Sequence, residues 1–184
     1  MHRLLLAPLA AILMLAVPNG AWAQMTASAY DYEFEAIEGG KLPLAKWRNK
    51  VLLVVNVASF CGFTPQYEGL QALWQRYEQR GLVVVGVPSN DFGAQEPKSE
   101  ILGFCQGAFG VNFPMTTKQA VSGGQAHPFY LWARDSLGLT STPRWNFHKY
   151  LVGRDGTLIA GFGSSVTPLS DTMINAVEQA LGAP

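Results

Sequence analysis

The stretch KVLLVVNVASFCGFTPQY, residues 50–67, decides the fold. From Val51 to Val57 it is a nearly continuous β-branched and apolar run. Such a run reads as a strand buried on both faces, at the centre of a sheet covered by helices on either side. It stops at Cys61. Thr64 and Pro65 then suit the N-cap and first position of a helix. Leu70, Leu73, Trp74 and Tyr77 follow at helical spacing and give that helix one apolar face. Gly81 ends it, and LVVVGVPS (82–89) is a second buried strand.

The same reading extends outward. YDYEFEAIEGGKLPLAKW (30–47) alternates around Gly39–Gly40 and predicts a β-hairpin. EPKSEILGFCQGAF (96–109) predicts a helix beginning after Pro97, with Ile101, Leu102 and Cys105 on one face. HPFYLWARDSLG (127–138) is a helix started by Pro128 and stopped by Gly138. NFHKYLVGRDGTLIAGF (146–162) is two strands joined at Arg154-Asp155-Gly156, and PLSDTMINAVEQALG (168–182) a closing helix with Ser170 as its cap. The order is hairpin, βαβα, helix, two strands, helix. That is an α/β layer fold. The strand–cysteine–helix unit suggests a thioredoxin-like arrangement: a central mixed sheet, helices on both faces, and an N-terminal hairpin.

The first 23 residues read separately. His2 and Arg3 precede an apolar stretch from Leu4 to Val17, and Ala21-Trp22-Ala23 has the A-x-A cleavage pattern. Residues 1–23 are thus expected to be a secretory signal peptide, and 24–184 a single domain that is periplasmic or secreted. Pro8 and the shortness of the run argue against a membrane span. The remaining chain has twelve basic and thirteen acidic side chains. Near-neutral charge without a basic cluster argues against nucleic-acid binding. His127 and His148 lack neighbours at ligand spacing, so no metal site is expected. GGKLP and GFGSS lack the Walker pattern, and no cofactor is expected.

Two cysteines in an exported chain form a structural disulfide by default. Cys61, however, follows a buried strand and precedes a helix N-terminus, where amide N–H groups and the helix dipole favour an anion. Open α/β sheets also place their sites at the carboxyl ends of strands. Position 64 is Thr, so no C-x-x-C dithiol exists. A lone thiolate suits attack on a weak bond such as a peroxide O–O, giving a sulfenic acid and an alkoxide or hydroxide that needs a proton.

Taken together, VNVASFCGFTPQY, SNDFGAQEP, FGVNFP and RWNFHKYLVGRDG resemble the glutathione peroxidase family over nearly all of the mature chain. The resemblance implies a thioredoxin fold and reduction of hydrogen peroxide and organic or lipid hydroperoxides. It also implies a catalytic set of Cys61, Gln95, Trp145 and Asn146, with cysteine where other members carry selenocysteine. Carboxamide and indole N–H groups suit the task, since they donate to a thiolate without taking its proton. For both Trp145 and Asn146 to face Cys61 they must sit in irregular backbone ahead of the strand, because neighbours in a strand point to opposite faces. Lys149 and Arg144 either orient this segment or are solvated.

Cys105, in GFCQGAFGVNFP, matches the resolving cysteine of thioredoxin-dependent members. It would attack the sulfenic acid and close a Cys61–Cys105 disulfide for reduction by a thioredoxin-like dithiol protein or by glutathione. A permanent structural disulfide between the same pair is the alternative, as are an exported thiol–disulfide relay and a non-enzymatic, disulfide-stabilised binding module. The chain departs from the family in Phe60, where lysine is frequent, and in Ser89-Asn90-Asp91. The short DSLGLTSTP (135–143) lacks the insertion of tetrameric members and implies a monomer.

Overall fold

The computed structural model describes residues 27–93 and 98–182. The expected leader (1–23) and Gln95 lie outside the described residues. Along the chain the elements are β1 (Glu33–Glu35), β2 (Lys41–Pro43), β3 (Val51–Val57), α1 (Gln66–Tyr77), β4 (Leu82–Pro88), α2 (Lys98–Phe109), α3 (Pro128–Leu137), β5 (Lys149–Val152), β6 (Leu158–Phe162) and α4 (Asp171–Leu181). This is the order expected from the sequence.

Every residue of β3 and β4 is buried, as continuous apolar runs require. The two strands pair in parallel, from Val51 opposite Leu82 to Val57 opposite Pro88. β5 lies antiparallel on the other side of β3, and β6 antiparallel to β5, so the mixed sheet runs β4-β3-β5-β6. Alternate side chains then face two cores. Val51, Leu53, Val55 and Val57 pack with Leu70, Leu73 and Tyr77 of α1 and with Met173 and Val177 of α4. Leu52 and Val54 pack with Phe129, Tyr130 and Ala133 of α3 and with Phe34 and Leu42 of the hairpin. Burial on both faces is the main stabilising term of such a layer. It also fixes β3, and hence the chain leading to Cys61.

The hairpin β1–β2 forms its own two-stranded sheet. Residues 114–117 join it to the main sheet. The Gly86 N–H donates to Pro114 O (2.9 Å) and the Thr116 N–H to Gly86 O (2.9 Å), which covers the outer edge of β4. The Thr117 N–H donates to Glu35 O (2.8 Å) and the Ile37 N–H to Met115 O (3.1 Å), which secures β1. This close approach needs a glycine at 86, because a Cβ there would run into Met115 Sδ and stand 3.1 Å from the Phe113 ring. Gly86→Ala is expected to lower stability by about 1–3 kcal/mol through overpacking. Urea unfolding checks this, and an unchanged midpoint would contradict it.

Candidate active site

Cys61 is partly buried, in a bend between the end of β3 and the start of α1. The expected capping role of Thr64 is not what the structure holds: α1 begins at Gln66, its cap residue is Pro65, and no side chain caps it. Thr64 turns back instead. Its Oγ1 accepts the Cys61 N–H (3.0 Å) and lies 3.7 Å from Cys61 Sγ and 3.2 Å from Ala58 O. The single hydroxyl proton serves either the sulfur or the carbonyl. The Gln66, Tyr67 and Glu68 N–H groups donate to Phe63, Thr64 and Pro65 carbonyls at 2.9, 3.0 and 3.2 Å. These amides are therefore spent on winding the chain into the helix and are not aimed at the thiol. Within this segment the donor within reach of the sulfur is the Thr64 hydroxyl, at 3.7 Å.

Trp145, Asn146 and Phe147 form an irregular turn just ahead of β5, where both candidate side chains can serve one site. β5 is antiparallel to β3, so this turn stands at the carboxyl end of β3, the end that leads to Cys61. Three consecutive carbonyls of the turn are held by side chains. Asn56 Nδ2 donates to Trp145 O (3.1 Å), Ser164 Oγ to Asn146 O (2.6 Å) and Lys149 Nζ to Phe147 O (2.7 Å). The Phe147 N–H donates to Asn56 O (2.6 Å), and Phe147 adopts φ +63°, a left-handed conformation that a bulky residue keeps only when its surroundings enforce it.

The side chains project accordingly. Asn146 is fully buried; its Nδ2 donates to Gly93 O (3.4 Å), and its Oδ1 has no partner among the described residues. Trp145 is 48% exposed, with its ring centroid 6.0 Å from that of Phe92. The turn is thereby tied to the segment following β4 that runs toward Gln95. The fold thus brings the Cys61 segment, the Trp145–Asn146 turn and the Phe92–Gly93 loop to one end of the sheet, the carboxyl end of β3 and β4.

Asp91 has other work. Its Oδ2 accepts the N–H groups of Val121 (2.7 Å) and Ser122 (2.8 Å) and the Ser122 hydroxyl (3.0 Å), which clamps a loop. Phe60, beside the thiol, is 62% exposed, and its ring stands 5.9 Å from Phe104 of α2. Cys105 is fully buried on the core face of α2, and no disulfide joins it to Cys61.

Sequence reasoning passed over Asn56, Gln66 and Ser164, which hold the turn and α1 in place. For Asn56 a signal existed: it is the one polar residue within the apolar run 51–57. Gln66 and Ser164 carried no such mark.

Residues 29–134 match the family described as glutathione peroxidase. The chain belongs to the glutathione peroxidase family. It is 42% identical over 156 residues to the hydroperoxy fatty acid reductase gpx1 of Synechocystis sp., covering 79% of this chain and 92% of that protein. It is 43% identical over 157 residues to the glutathione peroxidase-like peroxiredoxin gpx1 of Schizosaccharomyces pombe, covering 83% and 98%. Among solved structures, Trgpx in its apo form superposes with TM-score 0.69 at 33% identity, over 86% of this chain and 97% of that one. A thioredoxin-family thiol:disulfide interchange protein from Chlorobium tepidum TLS, at 16% identity and TM-score 0.61, covers 82% and 93% and shares the fold.

A buried histidine, His148, stands between this turn and β5. Burial, helped by the nearby Lys149 cation, pulls the His148 pKa down to about 4. Between about pH 4 and pH 6.5 the unfolded chain binds a proton at this residue and the folded chain does not. The contribution to stability is full above pH 6.5 and is lost as pH falls toward 4. Thermal midpoints measured over that range should fall in the parent protein and fall less in His148→Gln. Parallel curves would contradict this assignment.

Proposed function

We propose that this chain is an exported thiol peroxidase in which Cys61 attacks the hydroperoxide. The thiolate takes one peroxide oxygen, the O–O bond breaks, and the products are Cys61 sulfenic acid and an alkoxide or hydroxide that is protonated to alcohol or water. Trp145 Nε1–H, the Asn146 amide and the Gln95 amide are the hydrogen-bond donors that steady the thiolate and orient the peroxide, and the proton given up by the Cys61 thiol passes through water to the departing oxygen. The observation that carries this reading is the convergence described above. The first-turn amides of α1 are occupied, and a side-chain-clamped turn bearing an indole and a carboxamide stands at the same end of the sheet.

Cys105 then resolves the intermediate. Its thiol attacks the sulfenic sulfur, water leaves, and a Cys61–Cys105 disulfide forms. Disulfide geometry tolerates no more than about 7 Å between Cα atoms, and Cys105 lies buried in α2, so α2 must unwind in part. Gly103 and Gly107 lower its helix propensity, and neither touches anything within 4 Å at the Cβ position. A dithiol protein then reduces the disulfide. The peroxiredoxin naming of the S. pombe relative supports that class of reductant over glutathione. Fatty-acyl hydroperoxides join hydrogen peroxide as substrates, in line with the naming of the Synechocystis relative. The A-x-A leader supports cleavage after Ala23 and an enzyme acting beyond the membrane, and the short segment 135–143 supports a monomer.

Peroxide consumption with thioredoxin or glutathione as reductant tests this directly. Wild type should cycle with the dithiol protein, Cys61→Ser should lose turnover, and Cys105→Ser should consume one equivalent of peroxide per chain and then stop. Full turnover in Cys61→Ser would overturn the reading. Absence of any thiol loss on peroxide addition would favour the relay or the structural module.

A further inference from the structure

Lys149 opens β5 and is fully buried. Its ammonium donates to Gln66 Oε1 at 2.6 Å, to Phe147 O at 2.7 Å and to Val166 O at 2.7 Å. The three acceptors belong to three separate pieces of chain: the first residue of α1, the turn ahead of β5, and the segment after β6. All three are neutral oxygens. Burying an ammonium without a carboxylate is unfavourable.

The ammonium closes a ring of hydrogen bonds. Gln66 Nε2 donates to Ser164 O (2.7 Å), and Ser164 Oγ donates to Asn146 O. One path from Lys149 thus runs straight to the Phe147 carbonyl, and a second runs through Gln66 and Ser164 to the Asn146 carbonyl. Lys149 thus holds the left-handed Phe147 from its carbonyl side, while Ser164 and Asn56 hold the Asn146–Phe147 peptide on its amide side. Gln66 lies five residues beyond Cys61 on the same turn and helix.

We infer that Lys149 is a positioning residue of the peroxidase site, a three-donor cation that fixes the Cys61–α1 segment against the Trp145–Asn146–Phe147 turn. This rests on the peroxidase reading given above. The charge matters as well as the reach. A neutral amine has two donors and a lone pair, and against three acceptors that lone pair would face an oxygen. Burial draws Lys149 down to about 7, so the cation is partly lost just above neutrality. The groups facing it are uncharged through that range: Gln66 from α1, backbone carbonyls from the turn and from the segment after β6, and His148 just ahead of β5, itself drawn down to about 4.

The test uses Cys105→Ser chains, so that a single thiol reports, with and without Lys149→Met or Gln66→Met. Cys61 oxidation by hydrogen peroxide is timed by stopped flow, with iodoacetamide alkylation as a measure of thiol reactivity that needs no proton donor. Both substitutions should slow oxidation by about ten- to hundredfold, the scale of a misaligned reacting group, while alkylation changes by less than about threefold. Lys149→Met leaves three acceptors without this donor and should melt below its parent, so the rates are compared well below both midpoints. The parent-to-Lys149→Met ratio of oxidation rates should shrink as pH rises from 6 to 9, because the thiol's own titration cancels in the ratio. Oxidation within about threefold of the parent in Lys149→Met, equal losses in oxidation and alkylation, or a ratio flat with pH would each overturn the inference. If Lys149→Met does not fold, the Gln66→Met pair of rates decides alone. If Cys61 of the parent resists peroxide altogether, the peroxidase reading falls and takes this inference with it; normal rates in both variants remove only this inference.

Discussion

Three successive backbone carbonyls, from Trp145 to Phe147, each accept a hydrogen bond from a side chain of another residue. The site depends on that arrangement. A free turn of this length has many conformations, and a bulky residue at positive φ is among the least favoured of them. Asn56 reaches in from β3, Ser164 from the segment after β6, and Lys149 from β5. The turn is therefore a property of the assembled sheet. The indole and the carboxamide that follow from it are aimed by tertiary structure, although both belong to one short run of sequence.

The sheet supplies the other half of the constraint. β3 and β4 are buried along their whole length, with each face of the sheet covered by its own core. The point where the chain leaves β3 is rigid, and Cys61 follows it within a few residues. α2 contrasts with this. It packs through Ile101 and Cys105, but its glycines and its exposed outer face give it fewer contacts with the rest of the molecule. The proposed disulfide between Cys61 and buried Cys105 would need one rigid reference frame and one element that can leave it.

Nearly all of the architecture could be read from local pattern. Continuous apolar runs marked β3 and β4, Gly39–Gly40 marked the hairpin turn, Asp155–Gly156 separated β5 from β6, and Ser170 capped α4, its Oγ accepting the Met173 N–H at 3.4 Å. What escaped was the use of polar side chains at a distance. Thr64 before a proline satisfies the usual description of a cap, yet the bend at Ser59–Phe60 brings the Cys61 amide within its reach, and that contact wins. Lys149 remained open between orienting and solvated. The strand period offered an answer: it shares a face with Leu151, which lies in the α1–α4 core, so its side chain points inward. Gln66 and Ser164 meet only after the sheet, α1 and the segment beyond β6 have come together, and no spacing in the sequence announces such a meeting.

The most direct measurement of the central claim is chemical trapping of the first intermediate. Wild-type and Cys105→Ser chains are exposed to one equivalent of hydrogen peroxide in the presence of dimedone, and the adduct is mapped by peptide mass spectrometry. The account predicts a sulfenic-acid adduct on Cys61, abundant in Cys105→Ser and sparse in wild type, where the Cys61–Cys105 disulfide replaces it. An adduct confined to Cys105, or Cys61 recovered as an unmodified thiol in both chains, would contradict it.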